Sequence, residues 1–135
     1  MASFIHHITV VRYYRDGRHW DTEKIISPAW SDVETAVRRM DSYCYPIVAL
    51  NTTDNEEDEN TFNVCGGSGH WALFHMMGAW QYEEPGGSKE EVRLWDSDQG
   101  YYCRKKNILT DVAKVLRIVK SFCETGSYDH LDNAQ

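Results

Sequence analysis

The chain has 135 residues, of which 14 are lysine or arginine and 21 aspartate or glutamate, giving a formal charge of −7 at neutral pH. That length suits one domain, residues 1 to 135, with a core of its own. The charge disfavours a direct, sequence-independent grip on nucleic acid, because that affinity comes from cations neutralising phosphates. No apolar run comes near the roughly 20 residues of a membrane span, and "MASFIHHITVV" lacks the basic lead and small-residue cleavage pattern of a secretory signal, so the sequence predicts a cytoplasmic protein with no membrane partner.

In chain order, "IHHITVVRYYRDGRHWDTEKII" holds two runs rich in β-prone residues on either side of Asp16-Gly17, a favoured hairpin turn because glycine takes positive φ at little cost. Val33, Ala36, Val37 and Met40 then recur at helical spacing, and Ser31 with Glu34 forms a capping-box pattern. A first helix from about residue 31 to 43 is predicted, ending before Pro46. "PIVALN" and "TFNVCG" read as short buried strands, and "HWALFHMMGAW" as the next strand of a meander. "QYEEPGGSKEE" reads as a hairpin loop, "EVRLWDS" as the strand returning from it, and "GYYCRK" as one more.

The last element is the clearest. Val112, Val115, Leu116, Val119 and Phe122 form one apolar helical face, from which Lys114, Arg117 and Lys120 fall away. Thr110 suits the N-cap, Asp111 the positive end of the dipole and Gly126 the stop. The predicted fold is α+β: one mostly antiparallel β-sheet with two α-helices packed on one face.

The motifs that could carry chemistry have weak patterns. "GGSGH" at 66 to 70 resembles half of a phosphate loop, but the next segment, "WALFHMM", is strand-like and no Lys-Ser or Lys-Thr closes the motif. A turn between strands explains it better. "DSDQG" at 96 to 100 has alternate carboxylates, but its glycine comes one residue early for a calcium loop and Asn107 stands where a bidentate glutamate belongs. The six histidines show none of the helical spacings that close simple metal sites, and His6 and His7, as strand neighbours, are expected on opposite faces. No metal and no cofactor is predicted.

Four cysteines without a C-x-x-C pair read as free thiols. Cys65 with His70 or His75 could form a nucleophile pair, and a small enzyme built on it is the alternative function. A catalytic thiol needs a base in reach and a lowered pKa, and the sequence shows neither, so Cys65 is read as a core residue and no catalytic residue is assigned.

Two acidic clusters stand out. Asp54, Glu56, Glu57, Asp58 and Glu59 form one; Glu83 and Glu84 beside Trp80 and Tyr82, with Glu90 and Glu91 next along the chain, form the other. Acid runs often only keep a loop solvated. Acids mixed with aromatics also suit a surface that meets a basic protein through rigid anchors and charge complementarity. The first nine of these residues up to Glu84 are the candidate partner-binding set, with Trp20 and Trp30 as further aromatic candidates.

"FNVCGGSGHWALFHMM", "EVRLWDSDQGYYCRKK" and "NILTDVAKVLRIVKSFCETG", taken together, resemble immunity protein family one of bacterial polymorphic toxin systems. The resemblance runs from about residue 30 to 126 and rests on Gly66-Gly67 closing a strand, the strands around Trp71 and Leu94, and Phe122 with Gly126 ending the last helix. The chain departs from the family in its elaborate hairpin at 3 to 26 and in "YDHLDNAQ", which lacks the family's Trp-Glu ending. The resemblance implies an antitoxin without chemistry of its own. It would bind a basic cognate toxin domain, a nucleic-acid deaminase (a DNA cytosine deaminase first) or a nuclease, and block its active site or substrate groove. A general protein-interaction module remains open beside it.

Overall fold

The computed structural model describes residues 4–14, 19–41, 44–54, 61–75, 80–84, 86–95, 101–128 and 131, with the backbone alone at 93–95 and 101–102. The Asp16-Gly17 turn and the "DSDQG" segment lie outside these residues. Along the chain come β1 (His7–Tyr13), β2 (Trp20–Ile26), α1 (Trp30–Arg39), β3 (Ile47–Asn51), β4 (Phe62–Gly67), β5 (His70–His75), β6 (Glu91–Trp95), β7 (Tyr101–Arg104), a 3-10 turn at Lys105–Asn107, β8 (Ile108–Leu109) and α2 (Val112–Thr125). Six strands form one antiparallel sheet in the order β2-β1-β3-β4-β5-β8, and β6 with β7 makes a separate ribbon. The fold is α+β, as the sequence predicts.

Alternation along the strands sorts side chains between the two faces of the sheet. Ile8 and Val10, Val48 and Leu50, Phe62 and Val64, Trp71 and Leu73 join one buried cluster with Val33, Ala36 and Val37 of α1 and Val115, Ile118, Val119 and Phe122 of α2. Both helices therefore cover the same face. The intervening residues Cys65 and Ala72, with Ile108, form a smaller cluster, flanked by Ile47 and Phe74 and closed by Val92 and Cys103 of the ribbon. This corrects the expectation that "EVRLWDS" returns beside β5. Instead the β5 edge is taken by β8, Trp71 opposite Leu109 and Ala72 opposite Ile108, and by a bridge from Phe74 to Gln81. The reason is apolar: the exposed back of the sheet needs a cover, and the ribbon supplies it.

The helix ends differ from prediction by a few residues. In α1 the N-cap is Ala29, whose amide donates to the Asp32 carboxylate at 2.9 Å, so Asp32 rather than the Ser31–Glu34 pair serves the first turn. The helix stops at Arg39, short of residue 43, because Asp41 leaves it to bridge Gly67, and the Met40 carbonyl accepts from the Ser68 amide at 3.4 Å. In α2 the N-cap is Asp111, accepting from the Ala113 amide at 2.9 Å, in place of Thr110. Gly126 ends it as predicted, in the left-handed region at φ 65° with its amide on the Phe122 carbonyl at 2.7 Å. Of the three cations expected to fall away, only Arg117 is exposed. Lys114 and Lys120 lay their stems over Tyr82 and Trp30, with the ammonium 5.0 and 5.7 Å from the ring centroids.

The glycines at 66 to 69 turn the chain, as expected. Ser68 and Gly69 both have positive φ, the signature of a two-residue hairpin turn. Gly67 has a second constraint. At φ 121° its backbone passes so close to α1 that a Cβ would fall 2.3 Å from the Met40 carbonyl carbon. Gly67→Ala should therefore lower stability by at least about 2 kcal/mol, from strain and overpacking combined. Gly69→Ala keeps only the φ penalty, since nothing lies within 4 Å of its Cβ direction. In α2, Leu116→Ala is expected to cost about 2–5 kcal/mol, and Val119→Asp to unfold the domain by burying a charge. Denaturant midpoints of the four variants check the ranking.

Candidate functional site

The sequence-predicted site residues separate into three groups. Glu56, Glu57, Asp58 and Glu59 lie outside the described residues. Asp54 is exposed and pairs with Lys24 of β2 at 3.4 Å. Glu83 and Glu84 are exposed, Glu83 accepting from Lys106 at 2.9 Å. The aromatic members are core residues. Trp80 is half-buried against Phe62 and Tyr128, with ring centroids 5.8 and 5.6 Å away. Tyr82 is only 5 % exposed, its hydroxyl accepting from Lys114 at 2.8 Å and its carbonyl from the Asn107 side chain at 2.8 Å. The expectation that Tyr82 anchors a partner is corrected to a role in the chain's own interior. The cause is the return of residues 80–82 along β5, where the His75 amide donates to the Trp80 carbonyl and the Tyr82 amide to the Leu73 carbonyl.

Cys65 is buried on the ribbon-covered face, and burial, with Cys103 as a lesser influence, pushes its thiol up to about 12. His75 lies on the other face, edge-on to Tyr128 at 4.8 Å, and His70 is exposed at the start of β5. A thiol held this high is protonated at neutral pH, the reverse of what a nucleophile needs. Burial raises Cys103 and Cys123 as well, to about 11 and about 12.

The histidine expectation fails at one point. His6 sits in a bend just before β1, so strand alternation does not apply to it, and its Nδ1 lies 2.7 Å from Nδ1 of His7. The two rings converge beside Asp54. Spacing alone could not show this, because the face rule holds only once both residues are in the strand.

Local sequence patterns point least to the outer edge of the sheet. Strand β2 pairs only with β1 among the described residues, so half its backbone groups face outward. The exposed large apolar side chains among the described residues are Phe4, Tyr14, Trp20 and Ile26 at 55, 42, 55 and 61 %, and all four belong to the β1–β2 hairpin or its lead-in. Asp21, Thr22, Glu23 and Lys24 run between Trp20 and Ile26 on the exposed strand. Tyr14 donates to the Asp21 carboxylate at 2.6 Å, which holds its phenol proton and raises its pKa. Trp20 stacks on Tyr13 at 6.3 Å. Beside the strand a hollow of about 320 Å³ is bounded by Val10, Arg12, Asp21, Thr22, Glu23, Arg39 and Tyr45, with the Arg39 guanidinium 4.4 Å over the Tyr45 ring. No described helix is long and apolar enough to cross a membrane. No family model, curated protein or solved structure matches the chain.

The thiols give a pH prediction. The unfolded chain ionises its cysteines near 9 and the folded chain ionises Cys65 and Cys123 near 12. Their contribution is complete below about pH 9 and is lost as pH rises towards 12, because the unfolded state releases protons first. Urea midpoints should fall across that window, and less steeply in a Cys65→Ala, Cys123→Ala double variant. Native Cys65 should also resist alkylation at pH 8 that labels the unfolded chain.

Proposed function

We propose that this chain is a cytoplasmic immunity protein that binds a basic toxin domain stoichiometrically and neutralises it, with the open β2 edge at the centre of the contact. The observation that carries the reading is the edge strand β2, which pairs on one side only among the described residues and exposes Trp20 and Ile26 at its two ends, in a chain with a formal charge of −7. Unpaired strand edges accept an added strand through main-chain hydrogen bonds, and flanking side chains select the partner. Exposed aromatic residues of this type are the usual energetic anchors of an interface.

The resemblance to immunity protein family one supports the same class. A toxin that acts on nucleic acid, such as a DNA cytosine deaminase or a nuclease, needs cations to hold phosphates, and an acidic inhibitor can occupy that ground. Asp54, Glu83 and Glu84, with the acids from Glu56 to Glu59, then steer the encounter while the edge holds the complex. The raised thiol of Cys65 and its separation from His75 favour binding over the alternative of a thiol enzyme.

The test uses a cognate toxin domain, to be sought in the reading frame directly upstream. Trp20→Ala and Ile26→Asp should each weaken binding by about 2 kcal/mol or more, mainly through faster dissociation, with thermal stability unchanged because both side chains are exposed. Reversing Glu56, Glu57, Asp58 and Glu59 to lysine should slow association and flatten its salt dependence, with little change in dissociation. Stopped-flow kinetics at two salt concentrations separates the effects. Wild-type affinity in the Trp20→Ala, Ile26→Asp double variant would remove β2 from the interface, and self-association abolished by the same pair would assign the edge to a second copy of the chain.

A further inference from the structure

We infer that His6, His7 and Asp54 form a binding site for a divalent transition-metal ion. One ligand atom from each of the three lies within 4.8 Å of the others. They converge because three strand ends meet there. The His6 amide donates to the Asn51 carbonyl at the end of β3, and the Ser27 amide just after β2 donates to the His6 carbonyl, both at 2.8 Å. His6 is thus pinned from both sides, and His7 is buried in the register that pairs it with Ile26 and Asn51. Asp54 comes three residues after Asn51 and reaches back across the strand end.

The chemistry selects the ion class. Two imidazoles and one carboxylate suit zinc, nickel and copper, whereas calcium and magnesium require oxygen donors. The 2.7 Å approach of the two Nδ1 atoms holds one proton between them, one ring donating and the other accepting. A metal ion takes the place of that proton, which moves by way of solvent to Nε2 of the same ring, so both imidazoles stay neutral as they bind. With bonds of about 2.1 Å, adjacent ligands at a right angle stand roughly 3.0 Å apart and tetrahedral ligands roughly 3.4 Å. The rings therefore need to open by a few tenths of an ångström for the right-angled geometry of nickel or copper, and by more for tetrahedral zinc. Asp54 must exchange its Lys24 partner for the ion, a small cost because that pair is long and both side chains are largely exposed, at 46 and 74 %. His6 is half-buried and Asp54 exposed, so the ion has a path in and positions left for water or for a further ligand.

The experiment is calorimetric titration of the untagged, EDTA-treated chain with nickel chloride and with zinc chloride, magnesium chloride serving as control. A Cys44→Ser, Cys103→Ser background removes the two half-buried thiols as competing ligands. One nickel ion per chain is expected, bound more tightly than zinc. His6→Gln and Asp54→Asn, both at accessible positions that leave the fold intact by circular dichroism, should each weaken binding tenfold or more. Lys24→Gln should strengthen it twofold to threefold. Nickel should raise the melting temperature of the wild type and leave that of His6→Gln unmoved. Absence of binding by the wild type, undiminished binding by a His6→Gln, Asp54→Asn double variant, or loss of binding on His19→Gln or His70→Gln instead would each overturn the site.

Discussion

Phe62 is the side chain on which the remainder of the structure rests. It is fully buried in β4 and meets Phe122 of α2 at 4.8 Å, Trp80 at 5.8 Å and Tyr128 at 5.9 Å between ring centroids. These contacts join the sheet to the last helix, to the chain returning along β5, and to the segment after Gly126. Large aromatic rings bury the most area per residue and keep preferred mutual angles, so one residue fixes the position of three neighbours. Tyr128 and the buried Leu131 belong to the same cluster.

With the helices committed to one face and the ribbon to the other, the sheet has two edges to manage. One is blunt: β8 has two residues, and so short an edge offers little to a foreign strand. The other is a seven-residue strand, β2, exposed at nearly every position. Charged residues in its middle discourage self-pairing, while Trp20 and Ile26 remain at its ends. The asymmetry concentrates both open backbone and apolar surface at one place, which is where the proposed partner contact and the foot of the acidic run meet. Lys24 pairing with Asp54 connects the two, and the histidine pair lies at the same end of the hairpin. Recognition and ion binding would thus share the Asp54 carboxylate, so occupancy by a metal changes the local charge presented to a partner.

The core and the class of fold were legible in the sequence because they depend on local pattern. Short β-prone apolar runs between turn residues placed the strands around Val48, Val64 and Leu73, and the 3.6-residue spacing of Val115, Leu116, Val119 and Phe122 placed α2, with Gly126 as its stop. The turn at Ser68-Gly69 came from glycine's freedom at positive φ. Such signals survive because each residue's choice agrees with its neighbours and with the whole.

Partner choice among strands, and therefore the site, was decided only by tertiary structure. The pattern of Glu91 to Trp95 marks a strand but cannot say whether it joins β5 or covers the back of the sheet; the uncovered apolar residues Cys65, Ala72 and Phe74 settled that. Tyr82 reads as a surface aromatic among glutamates until the chain folds it under Lys114. Trp20 was visible as a candidate, but Ile26 at the other end of β2 joins it as open surface only because β2 is an edge, a property of strand order that no local pattern encodes. His6 and His7 converge for a related reason: alternation is a rule about positions inside a strand, and the strand begins between them. Sequence determines which faces are apolar through short-range periodicity, whereas contacts between segments far apart in the chain determine which of those faces, edges and ends remain uncovered.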